Sequence, residues 1–171
     1  REKEEEVRTI VKSSECLLLK KWKQQNSNCP QNIKYRNLSK AVKDSMLFQL
    51  IKEQHGVCAY TMVRIVKSDG TFQAHIEHIL PQSLYPDHDV FWDNLIACFP
   101  EPQAHCDFGA VKKGGYDPVN GFINPVQGGA SSRLKYRKNG KVVPVSENDD
   151  LSIIEKVLNL ILHIFLPDSW I

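Results

Sequence analysis

Residues 75–98 contain the feature that most constrains the fold, because polar side chains stand there at the edges of two apolar runs. Glu77 and His78 lie side by side in a strand-like run that Pro81 closes. A loop of Pro, Asp and His follows, and an Asp-Asn pair at 93–94 leads into a second apolar run that ends in cysteine. A carboxylate is an oxygen ligand for a hard cation, and an imidazole is a base for water. The pattern indicates a metal-assisted hydrolase, although a Glu-His pair alone is also typical of a structural hydrogen bond.

Length and composition indicate one soluble domain. At 171 residues the chain is long enough for a substantial core, and we assign residues 7–171 to a single domain. Residues 1–6 are a run of charges without apolar side chains, which predicts a solvated extension. The N-terminus lacks the apolar segment of a signal peptide, and the apolar stretch 151–166 contains charges that a membrane-spanning helix avoids. Five cysteines, an odd number, favour thiols or metal ligands over a full disulfide framework. We therefore expect a cytoplasmic protein with no membrane partner.

The charge is unevenly distributed although its net value is only +2. Residues 7–57 contain 10 Lys and Arg against 3 Asp and Glu, whereas residues 58–125 contain 4 against 8. This polarity suits a cation site beside a surface that accepts phosphates. An ordinary solvated helical face explains the basic segment equally well.

Helical periodicity is clearest between Ser39, a suitable N-cap, and Gln54, after which a glycine ends the pattern. A shorter helix is predicted to start within residues 16–22. A long amphipathic helix is predicted at 150–166. Its apolar face is typical of core packing, but it is wider than one stripe, so docking of a partner or a second copy is the alternative.

Strand patterns complete a predicted α+β fold. Residues 57–66 and 71–80 are predicted to pair as a hairpin about a Ser-Asp-Gly turn, with the Glu-His pair on the second strand. One short helix is predicted over 105–114, where two glycines end it. Residues 134–136 and 141–145, joined by Asn-Gly, are predicted to form a second small hairpin.

A hairpin carrying Glu-His, then Asp-Asn-Leu, then a short helix that opens with Cys-Asp and ends with Lys-Gly resembles the ββα-metal core of the HNH endonucleases, here within residues 57–115. The resemblance implies that His78 removes a proton from water and that Asn94 hydrogen-bonds to hold this histidine in place. It also implies that Glu77 and Asp107 hold one divalent cation, Mg²⁺ or Mn²⁺, against the scissile phosphate.

Other basic and imidazole groups lie near this core in the sequence. Lys112 and Lys113 stand where the resemblance implies contact with the phosphate backbone of the substrate. His105 is an alternative metal ligand, a histidine that hydrogen-bonds to a ligand, or a surface histidine. His75 alternates onto the same side of the strand as the carboxylate, so it too is able to face the site. His88, between two aspartates, is most simply a solvated side chain.

Three cysteines flank the core at Cys58, Cys98 and Cys106. Related proteins often carry a closed Cys₄ zinc site in this region. Here Thr61 stands where the second thiol of the first Cys-x-x-Cys pair is expected. A structural zinc site of three cysteines and His105 and a set of buried reduced thiols are the two alternatives.

The resemblance extends over essentially the whole chain after residue 6, to the PtuB-type HNH proteins. It rests on the Glu-His-x-x-Pro-Gln-Ser and Asp-Asn-Leu motifs and on the segments 7–12, 19–22, 54–60, 122–125, 136–140 and 158–160. Such proteins are the nuclease partners of a PtuA-type ATPase in Septu and some retron anti-phage systems. The resemblance therefore implies a toxic nuclease effector that cuts DNA or tRNA under control of the ATPase, in retron systems alongside a reverse transcriptase and its nucleic acid.

Two other functions stay open. A catalytically degenerate HNH adaptor would bind the ATPase and nucleic acid without cutting, and the threonine at position 61 favours it. A zinc-dependent structural domain would bind nucleic acid without any need for Mg²⁺.

Overall fold

The computed structural model describes residues 5–6, 9–118, 124–126, 133–136 and 142–145. These residues combine helices with short antiparallel strands, which confirms the α+β class. The helices are α1 (Leu17–Gln25), α2 (Lys40–Glu53) and α3 (Gly109–Lys113). The strands are β1 (Glu5–Glu6), β2 (Lys67–Ser68), β3 (Thr71–Phe72), β4 (His75–His78), β5 (Leu95–Cys98), β6 (Leu134–Tyr136) and β7 (Val142–Pro144). Within the described ranges, every helix is too short or too polar to cross a membrane.

Helix α2 forms where the periodicity predicts it. The Ser39 side chain accepts a hydrogen bond from the Val42 amide at 3.4 Å and caps the N-terminus. Met46 and Leu50 are fully buried on its inner face, which contacts α1, β4 and β5. The helix stops before His55, whose backbone is left-handed. Helix α1 begins within the predicted segment and runs a few residues beyond it.

The predicted hairpin of strands 57–66 and 71–80 forms only next to its turn, where the Gln73 amide donates to the Val66 carbonyl at 2.9 Å. Strand β4 pairs instead with β5, with His75 opposite Cys98 and His78 opposite Leu95. Residues 57–66 form a tight loop closed by one bridge, in which the Cys58 amide donates to the Val63 carbonyl at 2.8 Å. The turn after Lys67–Ser68 is where the sequence predicts it, but it joins only two-residue strands, β2 and β3. The Glu-His pair thus lies on the first strand of a β4–β5 pair, and α3 follows that pair in the chain.

Helix α3 is shorter than predicted, because residues 105–108 precede it as irregular backbone. Gly109 starts the helix with a φ of 64°, which favours glycine. A Cβ atom there would lie 2.9 Å from the Thr61 methyl group, so the close approach also requires glycine. The helix can therefore begin only at this glycine, after the chain has turned against the 57–66 loop.

A separate three-stranded sheet has the order β1-β6-β7. The β6–β7 pairing confirms the predicted second hairpin, whose Asn-Gly turn lies outside the described residues. Glu5–Glu6, which belong to the predicted solvated extension, pair with β6. The predicted helix 150–166 also lies outside the described residues.

Strand β5 is the centre of the core, since all four of its residues are buried. The Gln54 side chain, at the end of α2, donates to the Ala97 carbonyl at 2.8 Å and accepts from the Ala97 amide at 2.7 Å. This side-chain amide pairs with the edge of β5 opposite β4 as a neighbouring strand would. Helix α2 therefore fixes the strand against which β4 and its polar side chains are held.

Candidate active site

An open pocket of about 350 Å³ lies where β4 ends and where α3 ends. Glu77 and His78 line it together with Pro81, Gln82, Ser83 and the two glycines 114–115. Two side chains that the sequence singles out for chemistry thus share one pocket. Glu77 and His78 are adjacent in β4, so their side chains leave the strand on opposite faces, yet both residues contribute to the pocket wall.

The His78 imidazole is buried and held on two sides. Its Nε2 lies 2.9 Å from the Asp89 backbone carbonyl, and the Tyr35 ring packs edge-on at 4.9 Å between centroids. A carbonyl only accepts, so Nε2 carries the proton and the neutral ring has its lone pair on Nδ1. Burial lowers the pKa of His78, against the opposing effect of Asp89, and so favours the neutral form. The ring is therefore prepared to accept a proton at Nδ1.

Asp89 is a site residue that the sequence analysis does not identify. Its carboxylate is buried and lies 3.5 Å from His78 Nε2 through Oδ1. The same oxygen accepts from the Gln82 side chain, while Oδ2 accepts from the Tyr35 amide at 2.6 Å. Its carbonyl and carboxylate both face the proton-bearing nitrogen, so Asp89 orients the ring and stabilises an imidazolium. The sequence gives only a weak indication of this role, because Asp89 lies in an acidic loop. Its neighbour His88 is exposed, as predicted.

Asn94 acts on the backbone near His78 and not on its ring. The Asn94 side chain accepts from the Leu80 amide at 2.7 Å and donates to the carbonyls of His88 at 3.0 Å and Leu80 at 3.2 Å. The role predicted for Asn94, to hold His78 in place, would therefore be exerted through the backbone, because all three bonds of its amide group go to backbone atoms. Asn94 instead ties together both ends of the loop between β4 and β5. It thereby fixes the position of the strand end that carries His78 and of the Asp89 segment that holds it.

Lys113 points into the protein. Its ammonium group donates to Glu77 Oε1 and to the His78 carbonyl, both at 2.9 Å, and its side chain is 0% exposed. The predicted contact of Lys113 with substrate phosphate is therefore wrong. Lys112, the preceding residue, is exposed, so the same prediction stays open for it. Lys113 joins the end of α3 to the strand end by a buried ion pair.

His75 also faces Glu77, as strand alternation predicts. Its Nε2 lies 3.8 Å from Glu77 Oε2, and its Nδ1 lies 2.5 Å from the Pro100 carbonyl. Burial lowers the pKa of His75, but the hydrogen bonds with Glu77 and Pro100 outweigh burial and raise it overall. The two oxygens of Glu77 thus have different neighbours, Lys113 on one side and His75 on the other.

The predicted ligand set of Glu77, Asp107 and His105 is not assembled. Asp107 and His105 are exposed on the irregular segment before α3 and do not line the pocket. Among the residues with described positions, no three His, Cys, Asp or Glu side chains are grouped to hold a metal ion. Mg²⁺ needs few protein ligands, because it keeps several waters and is often bound by one or two carboxylates and substrate phosphates. Glu77, which lines an open pocket, fits that requirement.

The cysteines are divided between the core and the surface. Cys58 and Cys98 are fully buried and hydrogen-bond to each other. Burial raises the pKa of Cys98 well above its ordinary value, whereas hydrogen bonds from Cys98 and Thr61 outweigh burial at Cys58 and lower its pKa to about 6. The partly exposed Cys106 thiol donates to the Phe108 carbonyl at 3.4 Å. Thr61 hydrogen-bonds to the buried pair from the position expected for a further thiol.

Comparison with known proteins does not assign a function, so the function has to be inferred from the chemistry of the pocket. No protein-family model matches the chain, and no curated protein matches it. The pocket combines a neutral imidazole held by a buried aspartate with a carboxylate paired to a buried lysine. Such a set can remove a proton from water next to a bound cation or an electrophile.

Proposed function

We propose that this protein is an HNH-type endonuclease that hydrolyses phosphodiester bonds in nucleic acid. The observation that carries the proposal is the state of His78. Its Nε2 is bonded to the Asp89 carbonyl at 2.9 Å, so Nδ1 is the nitrogen that would accept a proton from water. Burial lowers the pKa of His78, so the ring is neutral and able to act as a base near neutral pH.

The order of elements supports assignment to a ββα-metal core. Strand β4 carries Glu77 and His78 at its end, a loop leads through Asn94 into β5, and α3 follows. The α3 helix returns to the same pocket, because Lys113 bonds to Glu77 and Gly114 lines the wall. The grouping of Glu77, His78 and the end of α3 at one pocket supports the proposal.

In the proposed reaction each polar residue has a separate task. His78 accepts the proton of the attacking water, and Asp89 stabilises the resulting imidazolium through Nε2. Asn94 and Lys113 are positioning residues that fix the backbone on either side of His78. Glu77 would hold Mg²⁺ or Mn²⁺, which supplies stabilisation of negative charge on the phosphate. Lys112 is exposed on α3 and would contact the substrate backbone.

The biological setting is proposed from the PtuB resemblance. The enzyme would be the toxic effector of an anti-phage system and would act when a PtuA-type ATPase permits. In a retron system a reverse transcriptase and its nucleic acid would join that complex. The exposed lysines of α1, Lys20 and Lys21, provide basic surface outside the pocket for such a polyanionic partner.

A degenerate adaptor is the second candidate, and specific observations favour it. Lys113 occupies one oxygen of Glu77, and Asp107 and His105 lie away from the pocket. Thr61 stands in place of a cysteine beside Cys58. An adaptor would keep the pocket as a structural element and bind the ATPase and nucleic acid without cutting either DNA or RNA.

Cleavage of plasmid DNA and of total tRNA tests the proposal and names the substrate class. Wild type and His78→Ala are compared with Mg²⁺ or Mn²⁺, each alone and with the ATPase. We expect the wild type to cut one substrate and the variant to lose about 10²–10⁴-fold in rate. Absence of cutting by the wild type with both cations and the ATPase present would support the adaptor.

A further inference from the structure

We propose that Phe48 and Phe72 form a stacking platform that binds single-stranded nucleic acid. Lys52 and Lys67, which lie over these two rings, would contact the phosphates of the same strand. None of the four side chains, called here the aromatic patch, lines the catalytic pocket. The biological role of the patch rests on the proposed nucleic-acid function, whereas binding to it does not require cleavage.

Phe48 lies on the outer face of α2. The buried residues Met46 and Leu50 stand two positions before and after it, so its ring points away from the core and is 51% exposed. Single exposed apolar side chains are common. Here, however, a second ring lies beside it: Phe72 of β3 is half-buried, with 6.3 Å between the ring centroids and 32° between the ring planes. Two separate elements thus bring two aromatic rings together at the surface.

Each ring has a lysine over it. Lys52 follows Phe48 by one helical turn, and its Nζ lies 5.6 Å from the centroid of that ring. Lys67 is the pairing partner of Phe72 in the β2–β3 hairpin, and its Nζ lies 4.6 Å from the centroid of the Phe72 ring. The electron-rich face of each ring attracts the ammonium group and keeps it next to the platform.

The two ammonium groups of the patch are available to an anion. Both lysines are exposed, and neither forms an ion pair with a carboxylate in the described part of the chain. On the same helix, by contrast, Lys40 is paired with Asp44 at 2.5 Å. Asp69, in the turn between β2 and β3, is exposed and offsets one charge, so the patch and this turn keep a net positive charge. A polyanion would therefore be attracted here.

Exposed rings beside lysines favour a single strand over a duplex or an acidic protein segment. The bases of a single strand can stack on aromatic side chains while its phosphates contact lysines. The bases of a duplex are already stacked on one another, so their faces are not available to a ring. An acidic protein segment would pair with the lysines but supplies no base to stack on the rings.

The patch is close enough to the pocket for one strand to occupy both. Glu77 follows Phe72 by five residues, which limits the distance between their Cα atoms to about 18 Å. A stacked strand advances about 3.4 Å per nucleotide, so about six nucleotides span this distance. Known sites for single strands cover about 4–16 nucleotides. The patch would therefore hold the substrate strand beside the point of cleavage.

Fluorescence anisotropy of labelled oligo(dT) and oligo(U) strands of about 20 nucleotides tests the patch without cleavage. The whole protein is titrated in EDTA against each strand and against a duplex of the same length. We expect a single strand to bind more tightly than the duplex. Phe48→Ala should weaken that binding about 5–150-fold, the contribution of stacking on one ring, and Phe48→Trp should retain it. Phe91→Ala is the matched control, because Phe91 is 52% exposed but lies in the acidic loop, and it should bind as the wild type does.

The salt dependence of binding tests the lysines. Lys52→Gln and Lys67→Gln should each reduce the slope of log affinity against log salt concentration by about 0.7, the value for one phosphate contact of a single strand. Lys40→Gln, which removes the same charge from a lysine already paired with Asp44, should leave the slope unchanged.

His78→Ala separates this inference from the proposed function, because it should abolish cleavage and keep strand binding. Wild-type affinity in folded Phe48→Ala, or equal losses in Phe48→Ala and Phe91→Ala, would overturn the patch. Tighter binding of the duplex, or no binding of either strand by the wild type, would also overturn it. A Phe48→Ala protein that keeps strand binding but loses the ATPase would assign the patch to the protein partner instead.

Discussion

Replacement of Lys113 by methionine tests whether the α3–β4 junction depends on a buried ion pair. The change removes the ammonium group and keeps a side chain of similar length. Breaking a buried pair by removing one partner costs about 3–5 kcal/mol, because the remaining charge is buried without compensation. The Glu77 side chain is 17% exposed and can gain water, which places Lys113→Met near the lower end of that range. Against a typical stability of about 5–15 kcal/mol, the loss should be large.

The converse change should cost more. Glu77→Leu leaves a fully buried ammonium with the His78 carbonyl as its acceptor, so the upper end of about 5 kcal/mol applies. The double variant Glu77→Leu/Lys113→Met replaces both charges by apolar groups. It should recover most of the loss, because exchanging a whole buried pair for apolar residues is often neutral.

Urea unfolding followed by circular dichroism measures these free energies, and the double-mutant cycle isolates the pair. Lys112→Met is the matched control, since Lys112 is the exposed neighbour on the same helix and should change stability by no more than about 0.5 kcal/mol. If Lys113→Met and Lys112→Met had the same urea midpoint, the ion pair would not contribute as reasoned here.

Three further predictions concern stability and metal uptake. Burial alone would raise the pKa of Glu53, but hydrogen bonds from Ser13 and Lys12 outweigh burial and lower the pKa. This carboxylate therefore stabilises the fold above its unfolded pKa, and the stabilisation is lost as pH falls through the folded pKa. Glu53→Gln should unfold at a lower urea concentration at pH 7, and between pH 7 and pH 3 it should lose less stability than the wild type does. Ser39→Ala removes a long capping bond of 3.4 Å and should cost about 0.5–1 kcal/mol in thermal unfolding, and no loss would argue against the cap. Thr61→Cys places a third thiol beside the buried cysteine pair and should increase zinc content by elemental analysis and produce thiolate-to-metal absorption with Co²⁺; the same content in both proteins would contradict this.

Local signals in the sequence predict helices and turns here, but they do not predict strand partners. Ser39 and the spacing of buried residues locate α2, because capping and periodicity act within a few residues. The run 71–80 is strand-like, yet its part His75–His78 pairs with Leu95–Cys98 and not with a strand in 57–66. Alternation of apolar residues predicts which face of a strand is buried but does not predict which strand it pairs with. The side chain of Gln54, which pairs with the edge of β5 across 43 residues, helps to decide it.

In the candidate site, too, some residues are evident from local sequence and others only from long-range contacts. Glu77 and His78 are evident from residue type and from their place at the end of a strand. Lys113 resembles a surface lysine until its contact with Glu77, 36 residues away, shows that it is buried. Asp89 becomes informative only because the loop returns its carbonyl and carboxylate to His78. Long-range contacts of this kind have no local pattern. The roles that the resemblance implies for Lys113 and Asp107 therefore do not match their positions, while those of the strand residues stand as predictions.

The central claim is that His78 acts as a general base, and rescue of His78→Gly by imidazole tests it most directly. His88→Gly is the matched control, because His88 is an exposed histidine in the adjoining loop. We predict that His78→Gly, folded by circular dichroism, cleaves about 10²–10⁴-fold more slowly than wild type and recovers part of its rate when imidazole is added. His88→Gly should cleave at the wild-type rate with or without imidazole. Wild-type cleavage by folded His78→Gly would contradict the claim, and a loss that imidazole does not reverse would assign His78 a structural role.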